Sequence, residues 1–582
     1  MGASNNITIN DLQILGKRDY DINFDWAEPH PTNPLHLTIV HFISTNKINC
    51  QPALLQPPSS ATDAFPLAAK QKLALDLILA HYTSHQTIPP LHMIIQGTAG
   101  TGKSYLIQCI RKELNLSTTQ EHNPLLVLAP TGVSAYNIQT TTIHATLLIP
   151  LRDMQPLTGQ SLMFFQEQYK QLQYILIDEM SFLGPKLLLK IDSRLRQAFP
   201  HQQHEPFGGI SVILVGDLGQ LPLVMDKPLY ASHSTTLALW HSFQTVVTLD
   251  TSFRQQGTSN IQQFCAILQN IRNANALQTD WKVLMSRSST KLAFDDNKQF
   301  DCSIPLFATN VLAKHHNTKM LKQLHLPVAQ LPRQTSIAYD NDEQLLSEIL
   351  LSLNEKVMLI ANLWIQVSLV NGSLGQIKSI VYDTYSKPPD LPKYVVVEFK
   401  NYTGPHWDNA NPKFVPTAPI TRGSHTQLTL AMAWAVTIHK SQGLTLDKAT
   451  IDIGKTKKQG LTFTTISQVK SLQDLRIDPP FTFERLELLR IYSANLNAMQ
   501  NFIDATHIAY LLYFWDVSGC KIESFYQRVL LTPFACCPPA GTILHNTFSV
   551  YKPFTVFLNT FSLKIAHHMV HLYIFLQQIA TS

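Results

Sequence analysis

Short apolar runs punctuate the first half of the chain: "LHMIIQG", "PLLVLAP", "YILIDEM", "SVILVGD" and "TVVTLD". Longer stretches with helical spacing of apolar residues lie between them, the first being "LAAKQKLALDLILAHY". Uninterrupted apolar strands that alternate with helices predict a parallel sheet covered on both faces. Near residue 355 the texture changes. "EKVMLIANLWIQVSLVNGSLGQIKSIVYD" and "KYVVVEFKNY" are β-rich and carry an Asn-Gly and a Gly turn, which predicts a small antiparallel unit. The α/β texture returns at "LAMAWAVTIHKSQGLTLDKATIDIG", so the β unit reads as an insert in a second α/β domain.

The expected divisions follow from these shifts. Residues 1–64 read as a polar leader ending in the linker-like "QPALLQPPSSATDAFP". Residues 65–240 form a first α/β domain, 241–345 and 421–490 the two parts of a second, and 346–420 the insert. Residues 491–582 are an aromatic-rich extension with little charge and no readable period.

Composition narrows the class only moderately. With 582 residues, 45% hydrophobic and 15% charged, the chain is globular and long enough for several cores. A net charge of +5 permits a polyanion partner without demanding one. The seven cysteines are scattered and form no C-x-x-C pair, which argues against a disulfide framework or zinc ribbon and for a reducing compartment. No apolar, uncharged run reaches 18 residues and no basic n-region opens the chain, so neither a membrane span nor a secretory signal is expected.

The chemistry is concentrated at strand ends. "GTAGTGKS", Gly97 to Ser104, matches G-x-x-x-x-G-K-[ST] in full, with a strand before and a helix after. The residues Gly97, Thr98, Ala99, Gly100, Thr101 and Gly102 supply backbone N–H groups for phosphate oxygens. Lys103 reaches the β/γ-phosphates of ATP, and Ser104 is a ligand for Mg²⁺. "YILIDEMS" places Asp178 and Glu179 at the C-terminal edge of another strand, Asp178 for Mg²⁺ and Glu179 as general base toward water. "VILVGDLGQLP" adds Gln220, suited to sense the γ-phosphate, and "LDTSFRQ" adds Arg254, suited to transition-state charge.

These stretches, together with "VLAPTGVSAYNIQTTTIHATL", "PLFATNVLAKHHN" and "AWAVTIHKSQGLTLDKATID", run in one order over roughly 65–485. On them the chain resembles the Pif-one family of superfamily 1B DNA helicases. The resemblance implies two RecA-like P-loop NTPase domains that clamp ATP, with a small SH3-like β domain inserted in the second. It implies 5′-to-3′ movement on single-stranded DNA, opening of duplex junctions, and a role in DNA repair, recombination and telomere maintenance in the nucleus, or alternatively the mitochondrion. A monomer or DNA-induced dimer is expected, and no membrane partner. Gln71 resembles the family's adenine-reading glutamine. Thr131, Gly132 and His144 are short or polar enough to touch a DNA backbone. In "TIHKSQG", His439, Lys440, Ser441 and Gln442 offer sequence-neutral phosphate contacts. The segment between Leu147 and Gln173 is expected to form a wedge.

One departure divides the reading. In "GLTFTTISQVKSLQDL" the family carries Arg where this chain has Gln468, and a neutral amide cannot supply that charge. An active helicase and a degenerate relative that binds ATP and DNA but hydrolyses poorly are therefore the two alternatives.

Overall fold

A computed structural model describes residues 15–26, 42–47, 66–84, 88–116, 123–150, 154–220, 229, 235–251, 253, 259–335, 346–422, 425–444, 446–454 and 460–487, all within one compact unit. Arg254 and the expected C-terminal extension lie outside the described residues.

The first domain is built on one parallel sheet. Its strands are β1 (His92–Gly97), β2 (Leu125–Ala129), β3 (Thr141–Thr142), β4 (Tyr174–Ile177), β5 (Ser211–Gly216) and β6 (Thr245–Leu249), in the order β3-β2-β4-β5-β1-β6. The apolar runs serve two cores because alternate side chains leave opposite faces. Ile94, Ile175, Ile177, Val212 and Leu214 enter one core, closed by Leu188, Ile191 and Leu195 of helix α5 (Pro185–Ala198). Met93, Ile95, Leu176, Ile213 and Val215 enter the other. That face is covered by helix α1 (Ala69–Ser84) and helix α2 (Lys103–Leu116). In α2 the buried residues Leu106, Ile107, Ile110 and Leu114 recur on one helical face. Each such side chain contributes about 1.5–3 kcal/mol when fully buried. Because β4, β5 and β1 are neighbours, their C-terminal ends deliver three loops to one edge of the sheet.

Two further helices of this domain matter below: α3 (Gly132–Asn137) and α4 (Gly159–Tyr169). α4 occupies the segment expected to form a wedge. It buries Phe165 and Tyr169 and leaves Met163 and Phe164 exposed.

The second domain starts with helix α6 (Ser259–Arg272) and holds a four-stranded parallel sheet. Its strands are β7 (Ile304–Phe307), β13 (Val436–Thr437), β14 (Ala449–Asp452) and β15 (Leu475–Ile477), in the order β13-β7-β14-β15. Short helices α7 (Ile438–Ser441) and α8 (Leu461–Ile466) follow β13 and β14. Phe264, Ile267 and Ile271 of α6 lie in this domain's core with Ile451, Phe463 and Ile466.

Between β7 and β13 stands a five-stranded antiparallel sheet. It comprises β8 (Lys356–Leu359), β9 (Leu374–Val381), β10 (Tyr394–Phe399), β11 (Phe414–Thr417) and β12 (Leu430–Met432), in the order β11-β10-β9-β8-β12. The insert is wider than the 346–420 expected. Ala329–Pro332 pairs with Glu348–Leu351, Ala329 and Leu331 share the core of the insert, and β12 lies beyond 420. Sequence texture missed these strands because they are short and pair at a distance.

The expected leader also contains structure. Asp21 is buried, is held by Arg18 at 2.6 Å, and accepts from the backbone N–H of Val328 at 2.9 Å. Trp26 enters the core of the insert, edge-on to Tyr382 with ring centroids 6.1 Å apart. Residues 15–26 thus dock on the second domain and its insert rather than acting as a linker.

Candidate active site

β1 ends at Gly97, and the chain turns through Gly100 (φ +87°) and Gly102 (φ +73°) into α2 at Lys103. Both glycines hold left-handed backbone that other residues adopt only under strain. Space also selects Gly102: a β-carbon there would lie 2.5 Å from Gln71 Nε2 and 3.2 Å from the Phe253 ring. Lys103 Nζ donates to the carbonyls of Gly97 at 2.8 Å and Thr98 at 3.1 Å, which holds the ammonium over the loop.

Gln71 is buried behind the loop, with Nε2 donating to Thr101 O at 3.0 Å and Oε1 accepting from Ala68 N at 3.0 Å, so it braces the loop. Thr101 is likewise buried, its hydroxyl donating to Thr98 O at 2.9 Å. Phe253, which sequence reasoning passed over, also joins the loop. Its N–H donates to Gly100 O at 2.9 Å and its ring lies against Gly102. The signal was present in "LDTSFRQ", where an aromatic precedes Arg254.

Asp178 and Glu179 follow β4. Glu179 adopts φ 52°, ψ 52°, a left-handed conformation that costs a non-glycine residue about 1–3 kcal/mol. Such strain concentrates where orientation matters more than local stability. Glu179 is part-exposed as a residue, yet its Oε2 is sealed from solvent and has no hydrogen-bond partner. Burial pushes its carboxyl up to about 7, the charges of Asp178 and Asp217 push the same way, and Lys103 opposes them. Asp178 is raised too, chiefly by burial, against the Glu179 N–H and Lys103.

These groups share a cleft of about 320 Å³, within the range of small-molecule sites. From the first domain Gly100, Gly102, Lys103, Ser104, Asp178, Glu179 and Gln220 line it. From the second come Gln442, Gly443, Leu444, Thr464, Ser467 and Gln468. Gln468 is buried in the turn just past α8, and its Nε2 donates back to Thr464 O of that helix at 3.1 Å. So position 468 does face the cleft, with its amide turned inward.

The residues expected to meet DNA are divided. Lys440 is exposed and His439 half-buried. Ser441 is fully buried and donates to Ile438 O at 2.9 Å, and Gln442 lines the nucleotide cleft. The short helix α7 turns the Ser441 hydroxyl back onto its own backbone. Thr131 caps α3, its hydroxyl accepting from Ser134 N at 3.2 Å. Gly132 is buried against the second domain: a β-carbon there would stand 2.0 Å from Asn362 Oδ1. Gly132 is therefore a point of contact between domains. His144 is half-buried, and burial plus the charge of Lys190 lower its imidazole pKa, favouring the neutral form.

A Gly-Lys-Ser loop, an acidic pair at the end of a nearby parallel strand and a second α/β domain facing them define a P-loop NTPase with two RecA-like domains. The sequence model of the family described as PIF1-like helicase matches residues 66–282. Over those residues the chain is similar to this family. It is 27% identical to the human ATP-dependent DNA helicase PIF1 over 80% of this chain and 71% of that protein. The mouse protein of the same name is 28% identical over 66% of this chain and 56% of its own length. The fold is similar to the crystal structure of Pif1 helicase from Candida albicans, with a TM-score of 0.55 and 24% identity over 75% of this chain and all of that one. It is also similar to the Bacteroides Pif1 helicase in complex with ADP-AlF3 and ssDNA, with a TM-score of 0.52 and 21% identity over 74% and 98% of the two chains.

Proposed function

We propose that this chain is an ATP-dependent DNA helicase that moves 5′ to 3′ on single-stranded DNA and opens duplex junctions, serving DNA repair, recombination and telomere maintenance in the nucleus. One observation carries the reading: Lys103, Asp178, Glu179 and Gln220 meet in one cleft that a second domain closes. Lys103 neutralises the β/γ-phosphates of ATP, and the loop N–H groups hold their oxygens. Mg²⁺ fits the oxygen donors of Ser104 and Asp178, and would polarise the phosphates when bound. Glu179 lines the cleft with its carboxyl pushed up to about 7, which suits a base that takes a proton from water near neutral pH. Gln220 contacts the γ-phosphate. Opening and closing of the cleft shifts the grip on the strand, so hydrolysis becomes stepping. Exposed Lys440 offers a sequence-neutral contact to the DNA backbone.

A second reading is supported by a separate observation. Among the described residues, none that lines the cleft from the second domain is charged, and the Gln468 amide bonds back to Thr464 of α8. That favours a protein that binds ATP and DNA and turns over slowly.

The test is ATP hydrolysis and strand displacement by the full chain, with and without single-stranded DNA, beside Lys103→Ala. DNA-stimulated turnover that falls to background in the variant is the expected result. DNA binding without turnover in the parent selects the second reading, and neither DNA binding nor turnover rejects both.

A further inference from the structure

The turn after β5 carries two residues with different tasks. Gln220 lines the nucleotide cleft, and Asp217, three residues earlier, is fully buried. The partner of Asp217 comes from the other domain. Arg272 is the last residue of α6, whose Phe264, Ile267 and Ile271 lie in the second domain's core. Arg272 Nη2 stands 2.6 Å from Asp217 Oδ1, and Nε stands 3.1 Å from Oδ1 and 3.2 Å from Oδ2. The same Oδ1 accepts from Gly219 N at 2.9 Å.

The guanidinium also lies along the turn itself. A β-carbon at Gly219 would meet Arg272 Nε at 2.8 Å and Cγ at 3.1 Å, so glycine leaves the passage that the side chain uses. Arg272 is only 11% exposed, and the geometry is the planar fork that lysine cannot reproduce. A desolvated pair of this kind is strongly destabilised when one partner is lost, because the other charge stays buried alone. A pair that joins two domains in this way is made or broken as the domains approach or separate.

We propose that the Arg272–Asp217 pair is an interdomain latch that sets the position of Gln220 and ties closure of the cleft to the nucleotide. Arg272 is a positioning residue: it touches the turn and not the reacting atoms. The consequences for turnover rest on the reading of the chain as a DNA-stimulated ATPase, whereas those for closure do not.

The experiment uses the full chain with donor and acceptor dyes at exposed positions 167 and 294, one on each domain. Energy transfer is read with and without a non-hydrolysable ATP analogue, for the parent, Arg272→Ala, Arg272→Lys and Asp217→Asn. ATP turnover, nucleotide affinity and thermal melting are measured on the same proteins. In the parent the analogue should bring the dyes together. In Arg272→Ala and Asp217→Asn closure should be lost and DNA-stimulated turnover should fall about 5- to 150-fold, and affinity for the analogue should fall as well, because a nucleotide that drives closure must bind less tightly when closure is lost. Arg272→Lys, which keeps the charge but not the fork, should fall between. The double variant should be no worse than either single one, as for partners in one pair. Closure of Arg272→Ala to the parent's extent overturns the latch, as does a parent that does not close. Loss of melting temperature in step with turnover, while the analogue still closes the cleft, reduces the pair to a structural role. A parent that closes but shows no DNA-stimulated hydrolysis refutes the functional reading and leaves the latch to be judged by closure alone.

Discussion

The two sides of the nucleotide cleft differ in kind. The first domain presents Lys103, Asp178 and Glu179, all charged groups, two of them with pKa values moved by burial. The second presents Gln442, Gly443, Leu444, Thr464, Ser467 and Gln468, all neutral. The first side is also strained, with Glu179 held left-handed, whereas Gln468 rests in an ordinary hydrogen bond back to Thr464 of α8. On the proposed reading, the groups for hydrolysis and the groups for its trigger sit on different domains, so one set can be intact while the other is reduced.

The sharpest way to break the contrast is to neutralise the charged side. Glu179→Gln keeps the shape of the residue but removes its basicity. ATP turnover should fall about 10²- to 10⁴-fold, the usual weight of a general base, while nucleotide affinity is retained. Single-turnover hydrolysis beside an equilibrium nucleotide titration separates the two. If affinity falls as far as the rate, Glu179 is a binding group and the division between the two sides is drawn in the wrong place.

The opposite experiment charges the neutral side. Gln468→Arg restores a cation where the side chain already faces the cleft. A fully absent arginine is worth roughly 10³–10⁵ in rate at such sites, so even partial placement should raise DNA-stimulated turnover by about tenfold or more. An unchanged rate, with nucleotide affinity unchanged too, would show that the transition-state charge is supplied from elsewhere in the chain.

Much of the charged side was legible in the sequence because its residues are local. Loop glycines, Lys103, Ser104, Asp178, Glu179 and Gln220 each follow an apolar strand directly, and strand ends in parallel sheets converge. What escaped is long-range. Arg272 meets Asp217 across 55 positions, and Val328 meets Asp21 across 307, with no periodic signal to pair them. The surroundings of Gln71, Ser441 and Gln442 were not legible either, since a composition of polar residues does not say which neighbours their side chains meet. The insert was legible as β texture, but its limits were not, because Ala329–Pro332 and Leu430–Met432 are too short to stand out.

The smallest expected effect concerns the scaffold beneath the charged side. His92 opens β1, the strand that carries the phosphate loop at its other end. Its ring lies between Phe207 and Phe243, with centroids 5.1 and 5.5 Å away, and its Nε2 has no hydrogen-bond partner. Burial lowers its pKa from 6.5 to about 4. The sign follows directly. Below 6.5 the unfolded chain takes up a proton that the folded one refuses, so stability falls as the pH drops and levels off near 4. The full loss is about 3 kcal/mol. Hydrogen exchange should therefore show the amides of β1 and β5 losing protection between pH 6.5 and 4 before those of β7 and β14. His92→Leu removes both the titration and the unpaired nitrogen, so the first sheet should then keep pace with the second. If the two sheets lose protection together in the parent, the acid sensitivity is shared, and the difference between the domains is confined to the surface of the cleft.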